Sequence, residues 1–420
     1  MTRHMHRTKG FRDMSFRLGQ WAAVSSLFVV PLNKPATNIA LALSLLGSLC
    51  GRDVLSRWRS ALRQPVAQGA LVWACVLTVS ALHTWFAGDG FPIAGSFVGA
   101  LFYPLLFGTL LETPVWRRRG LLAFALGVGL VLLISYGMYL GLVPQREVAQ
   151  APGSAMRNTV FKEYTQQGLA VLMLGCMAMA FGLTGSRSRL LCFVVAALAL
   201  VDAALLLQSR TVFLMLVPLL SYWVWRVGRT HLNWRFAGVT GVVVALVLVL
   251  AWFTSPVRER MASTILQDLP RYAVSREPSS NGIRLELWRQ TLTIISTAPV
   301  WGHGLGEWQP LYRQAIEPLP NFNQFLMGHP HQEMLLILSE QGIAGLLVYL
   351  FLLTALVRYI TRISPPERDI YACLLLAYLS AGLVNCLWAD FSHRHLLILL
   401  LACIPLAGNK PDARAQGTAV

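Results

Sequence analysis

Apolar residues run along this chain in blocks of about 18 to 25 positions, the length a helix needs to cross a bilayer, with short polar breaks between them. The blocks fall at 18–32, 35–51, 66–87, 91–111, 119–142, 166–184, 188–206, 210–227, 236–254, 332–357, 369–389 and 391–408. A segment surrounded by hydrocarbon must satisfy its own backbone polar groups, so each block predicts a helix. The pattern is that of an all-α integral membrane protein with about twelve transmembrane helices. Helices one to nine occupy 1–255, a long polar loop occupies 256–330, helices ten to twelve occupy 331–408, and a tail follows over 409–420.

The long loop has a helical pattern of its own. Asn281-Gly282 predicts a turn, after which Arg284, Leu287, Trp288, Thr291, Leu292 and Ile295 recur at helical spacing until Pro299. This predicts an amphipathic helix over 282–297. The next stretch, Trp301-Gly302-His303-Gly304-Leu305-Gly306, suits a tight turn or a close backbone approach. Residues 307–316 predict a second short helix, which Pro318 and Pro320 end.

With 55% apolar and only 13% charged residues, a soluble enzyme is excluded. The formal charge of +16 would suit a nucleic-acid partner if the basic residues formed one binding face. They do not. Arg52, Arg57, Arg59 and Arg63, then Arg117 to Arg119, Arg187 and Arg189, Arg226, Arg229 and Arg235, and Arg358, Arg362 and Arg368 occupy alternate linkers. Both tails share their side, and the bias makes it cytoplasmic, so the charge sets orientation and no nucleic acid is expected. The linkers at 31–34, 88–90, 143–165, 207–210, 255–331 and 389–392 then face outward. The basic start precedes a run without a small-residue cleavage site, which predicts a retained first helix. All seven cysteines lie in or beside apolar runs and none in the loop, against a disulfide framework or a thiolate metal site.

Three residues on the outward side could carry chemistry. His331 follows Pro330 at the head of the tenth helix, with Pro330 suited to its first turn; a neutral imidazole there can accept a hydroxyl proton, or simply cap the helix. Arg210 opens the eighth helix at or just inside the outer interface, as an anion ligand or a snorkelling anchor. Arg284, one turn before Trp288, can stack on that indole or join Arg210 on a phosphate, which guanidinium forks match bidentately. His303, His329, Arg157, Lys162 and Arg313 are supporting candidates. No Asp-x-Asp pair lies on the outer side, and there is no phosphate loop or dinucleotide fingerprint. Asp390, His393 and His395 have metal-ligand types without a metal-site spacing, so neither metal nor cofactor is expected.

The order of these motifs resembles the O-antigen ligase and polymerase superfamily: Ser209-Arg210, Arg284-x-x-x-Trp288, Gly302-His303-Gly304, His329-Pro330-His331-x-x-x-Leu335 and Glu340-x-Gly342-Ile343-x-Gly345-Leu346. The similarity covers roughly 150–360. It implies a Gram-negative inner-membrane glycosyltransferase with cytoplasmic termini and a periplasmic site. Its donor would be a glycan on undecaprenyl pyrophosphate and its acceptor lipid A-core. His331 matches the family's proposed catalytic histidine, and Arg284 and Arg210 its loop and helix-start arginines. Gln332 departs from the pattern, since relatives often have Asn after the histidine. Repeat-unit polymerases and protein-glycosylating ligases share this chemistry, and a lipid-linked glycan transporter is the alternative of another class.

Overall fold

The computed structural model describes residues 2–51, 53–87, 97–145, 158–185, 188–207, 209–230, 267–276 and 278–404, and no strand occurs among them. In chain order the helices are α1 (Thr2–Val29), α2 (Lys34–Cys50), α3 (Val54–Ala61), α4 (Pro65–Ala87), α5 (Tyr103–Leu110), α6 (Pro114–Tyr139), α7 (Tyr164–Leu183) and α8 (Arg189–Val201), which ends in a π-turn over Asp202–Leu206. Then come α9 (Arg210–Thr230), α10 (Leu269–Ser275), α11 (Ser280–Thr297), α12 (Trp308–Ile316), α13 (Glu333–Ile360), α14 (Glu367–Gly382) and α15 (Phe391–Leu401).

Among the described residues, six helices are long and apolar enough to cross a membrane: α4, α6, α7, α8 with its π-turn, α9 and α13. The run expected at 236–254 lies outside the described residues. The last two runs yield helices of only 16 and 11 residues, α14 and α15. Between them the chain turns through Asn385 to Asp390, whose side chain accepts the His393 N–H and so starts α15 afresh. The short helix α3 was not expected, because its eight residues include two arginines and two serines and never form a long apolar block.

The helices pack by backbone approach and by buried polar ties. Gly19 and Gly47 let α1 and α2 touch, since a Cβ on Gly47 would fall 2.4 Å from Gly19 Cα. Helix α7 forms the centre, with Leu169, Val171, Met173 and Ala180 fully buried. On the arginine-rich side the buried Asp369 carboxylate accepts from Tyr222 Oη at 2.7 Å and pairs with Arg226 Nε at 3.1 Å, pinning α9 to α14. The loop region packs into a small core in which Leu287, Thr291 and Ile294 of α11 meet Trp308, Tyr312 and Ile316 of α12, joined by Leu336 of α13 and Cys386.

Helix α13 is two pieces. Gly342 breaks it with φ 65° and ψ −169°, which frees backbone groups that need partners. The strap 299–306 supplies them: Pro299 O and Val300 O accept from the N–H groups of Ile343 (2.9 Å) and Ala344 (3.1 Å). In return the N–H groups of His303 and Gly304 donate to Ser339 O and Glu340 O, each at 2.9 Å. Helix α4 closes the joint, as Ser80 Oγ donates to Glu340 O at 3.2 Å and Thr84 Oγ1 to Leu305 O at 3.1 Å. Glycine is required on both sides, because a Cβ on Gly302 would lie 2.4 Å from the Glu340 backbone and one on Gly342 2.3 Å from Val300 O. Gly342→Ala should therefore lower stability by about 1–3 kcal/mol from its backbone angle alone, with the Val300 clash added. Thermal unfolding of the detergent-purified variant reads this loss, and an unchanged Tm would mean that the joint yields.

Candidate active site

His331 lies just outside α13, and the way it is held begins with its neighbours. The helix starts at Glu333, with Gln332 as its cap: the Gln332 side-chain oxygen accepts the Leu335 N–H. Pro330 and His331 precede that cap, so the expectation that Pro330 occupies the first helical turn is corrected. The cap needs extended backbone at Gln332, and the chain reaches it through a left-handed His331 with φ 54°. A non-glycine residue holds such an angle only when its surroundings fix it. Here they do. Trp288 Nε1 of α11 donates to Pro330 O at 3.1 Å, so the tryptophan clamps the histidine loop. His329 Nδ1 accepts the His331 backbone N–H at 3.3 Å, with the two rings edge to face 4.5 Å apart. Asn385, from the linker between α14 and α15, faces His331 Nδ1 across 3.4 Å.

Burial, together with the positive charge of Arg284, lowers the His331 pKa below the ordinary histidine value, and the contact with Asn385 only partly offsets them. Burial, helped by its neighbour His331, takes His329 down to about 4. Both rings are neutral at neutral pH, and His331 can accept a proton. Arg284 is partly exposed, and among the described residues its guanidinium has no hydrogen-bond partner.

Arg210 reaches the same helix. Its Nη1 donates to Asn281 Oδ1 at 3.0 Å, and Asn281 lies three residues before Arg284 on α11. Asn281 Nδ2 in turn donates to Asp268 Oδ2 at 2.6 Å. The turn expected at Asn281-Gly282 is instead the first turn of α11, because Ser279 caps the helix by accepting the Gly282 N–H at 3.1 Å. The C-terminal end of α8, which leads into Arg210, is anchored by buried polar groups. Fully buried Asp202 accepts from Ser135 Oγ, and Asn158 Nδ2 donates to Leu206 O at 3.3 Å. Asn158 is itself held by Gln145 at 2.9 Å and Gln167 at 3.0 Å.

The supporting candidates divide. His329 belongs to the site. His303 does not: its Nε2 lies between Ile294 O (3.0 Å) and Thr297 Oγ1 (2.9 Å), a tie within the strap. Lys162 lies beside Gln166 and His393, and Arg313 is exposed on α12. Arg157 lies outside the described residues. His393 Nδ1 pairs with Asp390 Oδ1 at 3.0 Å, while the His395 ring stacks on Phe391 and its Nδ1 bonds Phe391 O. Sequence reasoning missed Asn281 and Asn385. An asparagine beside glycine reads as a turn, and one in an apolar run carries no signal until its partner is placed.

The model of the O-antigen ligase family matches residues 195–350, a stretch holding Arg210, Arg284 and His331. Over this segment the chain is similar to the O-antigen ligase family. No curated protein matches the chain. Among the described residues, that similarity accompanies six helices long and apolar enough to cross a membrane.

The charge of Arg284 makes a prediction that activity need not report. Removing it in Arg284→Gln should raise the His331 pKa, so the neutral ring appears only at higher pH than in the unaltered protein. The pH at which diethyl pyrocarbonate half-modifies His331, with His331→Gln as the blank, should move upward. A midpoint that stays or falls would separate Arg284 electrostatically from His331. Asn281→Ala should remove the Arg210–Asn281 hydrogen bond at a cost of about 1 kcal/mol in stability, read as a small drop in Tm. A change of several kcal/mol would give Asn281 a core role.

Proposed function

We propose that this protein is a periplasmic-face glycosyltransferase that moves O-antigen polysaccharide from undecaprenyl pyrophosphate to lipid A-core. Neutral His331 takes the proton of the acceptor hydroxyl, whose oxygen attacks the anomeric carbon. The bond from that carbon to the pyrophosphate oxygen breaks, and undecaprenyl pyrophosphate leaves with the bonding electrons. Arg210 and Arg284 hold the pyrophosphate and stabilise its growing charge, and direct displacement inverts the anomer. No step calls on a metal or cofactor.

One observation carries this reading: Arg210 is tied through Asn281 to the helix that bears Arg284, and Arg284 acts on the charge of His331. Two cations linked through one helix, one of them acting on a neutral base, are suited to an anionic leaving group and a hydroxyl nucleophile. An apolar cavity of about 220 Å³, lined by Trp73, Leu77, Leu101, Tyr349, Leu352 and Leu397, reaches Glu333, two residues after His331. It is suited to isoprene units of the donor's tail. In this reading the chain spans a Gram-negative inner membrane about twelve times, with 256–330 in the periplasm and both termini in the cytoplasm.

The test uses purified protein in lipid nanodiscs with undecaprenyl-pyrophosphate-linked O-polysaccharide and lipid A-core. A covalent lipid A-core product is expected, and His331→Ala at normal protein level should slow its formation by about 10²- to 10⁴-fold. Ligation at the unaltered rate would remove His331 as base. Lengthened lipid-linked glycan in place of that product would assign a polymerase, and glycan movement without a new bond would assign a transporter. Arg284→Lys keeps the charge but loses the bidentate fork and should weaken turnover, whereas full activity would show the fork to be unnecessary.

A further inference from the structure

Among the contacts that hold the histidine loop, Trp288 grips the Pro330 carbonyl and His329 the His331 backbone N–H. Asn385 instead meets the ring, with its Oδ1 3.4 Å from His331 Nδ1. A carboxamide can present either an acceptor or a donor, and the side facing the ring decides the tautomer. Here the backbone decides it. The same Oδ1 accepts the Cys386 N–H at 3.0 Å, which only an oxygen can do. The atom facing Nδ1 is therefore an acceptor, and Nδ1 must carry the proton. A neutral imidazole protonated at Nδ1 has its lone pair on Nε2.

We propose that Asn385 is a positioning residue for His331, holding the ring in the Nδ1–H tautomer so that Nε2 receives the proton of the acceptor hydroxyl. This rests on the reading of His331 as the base. It adds which nitrogen acts and which residue selects it. Asn385 lies beyond the segment that matches the family model, in the linker between α14 and α15. A neutral amide suits the task, because the contact persists when the ring becomes imidazolium yet adds no negative charge that would protonate it beforehand. The other groups around the ring are Arg284 from α11, His329 from its own loop and Cys386 from the Asn385 linker, whose thiol lies against the His331 and Gln332 backbone. Glu333, at the head of α13, faces Cys386, and Asp390 and His393 act on His329.

The experiment compares unaltered protein, His331→Ala, Asn385→Ala and Asn385→Asp in nanodiscs with undecaprenyl-pyrophosphate-linked O-polysaccharide and lipid A-core, measuring kcat and KM against pH. Asn385→Ala should lose about 10- to 100-fold in kcat with little change in donor KM. Asn385→Asp keeps the acceptor oxygen and should recover most of kcat. Its carboxylate favours imidazolium, so the acid limb of the profile should move to higher pH. Wild-type kcat in Asn385→Ala, or an unmoved acid limb in Asn385→Asp, would overturn the assignment. If Asn385→Ala does not fold, Asn385→Asp alone decides by its acid limb. The two readings fail separately: a fully active His331→Ala removes the base itself, whereas an inactive His331→Ala beside a fully active Asn385→Ala removes only the positioning role.

Discussion

The requirement that no backbone polar group be left bare in or near hydrocarbon governs the region around the site. Helix α13 breaks at Gly342, and the strap 299–306 answers that break by exchanging hydrogen bonds with the residues on both sides. The exchange fixes Glu333 to Gln341 as a separate short helix whose start is capped by Gln332 and preceded by His331. Glu340 deepens the joint, since its Oε1 accepts the Gly306 N–H at 3.0 Å. Because the strap directly follows α11, the joint that seats the histidine's helix also seats the helix bearing Arg284. One backbone constraint therefore sets two of the three principal residues.

The third enters by another route. Arg210 stands at the head of a membrane helix whose approach is fixed by Asp202, Ser135 and Asn158, yet its guanidinium turns to Asn281 on α11. The site thus forms where the membrane body meets the loop region, and α11 is the element common to both. Its inner face packs on α12 through Leu287, Thr291 and Ile294, while Asn281, Arg284 and Trp288 turn toward Arg210, His331 and Pro330. An amphipathic helix is suited to this. One face supplies burial and the other supplies chemistry.

Much of this could be read from the sequence. Long apolar blocks announce spans because length and composition decide them; α11 announced itself by periodicity that stops at Pro299, and α12 by the prolines that end it. The glycines at 302–306 signalled a close approach without naming its partner, which lies in the break at Gly342. What could not be read was local competition and long-range pairing. Ser279 outcompetes the Asn281-Gly282 turn by capping α11 so that it starts two residues earlier than expected, and Gln332 takes the cap that would have put Pro330 inside α13. His303 looked like chemistry by residue type, yet its ring serves Ile294 and Thr297. Asn385 sits more than fifty residues from His331, in a run that reads as membrane helix, and only its turn at the end of α14 brings it back.

Both asparagines share a physical logic. Arg210 and Arg284 can hold an anion only if their charge is not already neutralised, and His331 can accept a proton only if nothing nearby stabilises its charged form too strongly. Carboxylates would position all three groups firmly and spoil both conditions. Amides position without neutralising. Asn281 accepts from Arg210 and donates to Asp268, and itself carries no charge. Asn385 meets His331 in the same way, with its oxygen oriented by the Cys386 N–H. The nearby acids are occupied elsewhere: Glu333 accepts the Trp388 N–H, Glu340 that of Gly306, and Glu286 binds Tyr272 and Gln290. Asn385 thus orients His331 without placing a negative charge beside it, where a carboxylate would have favoured the imidazolium.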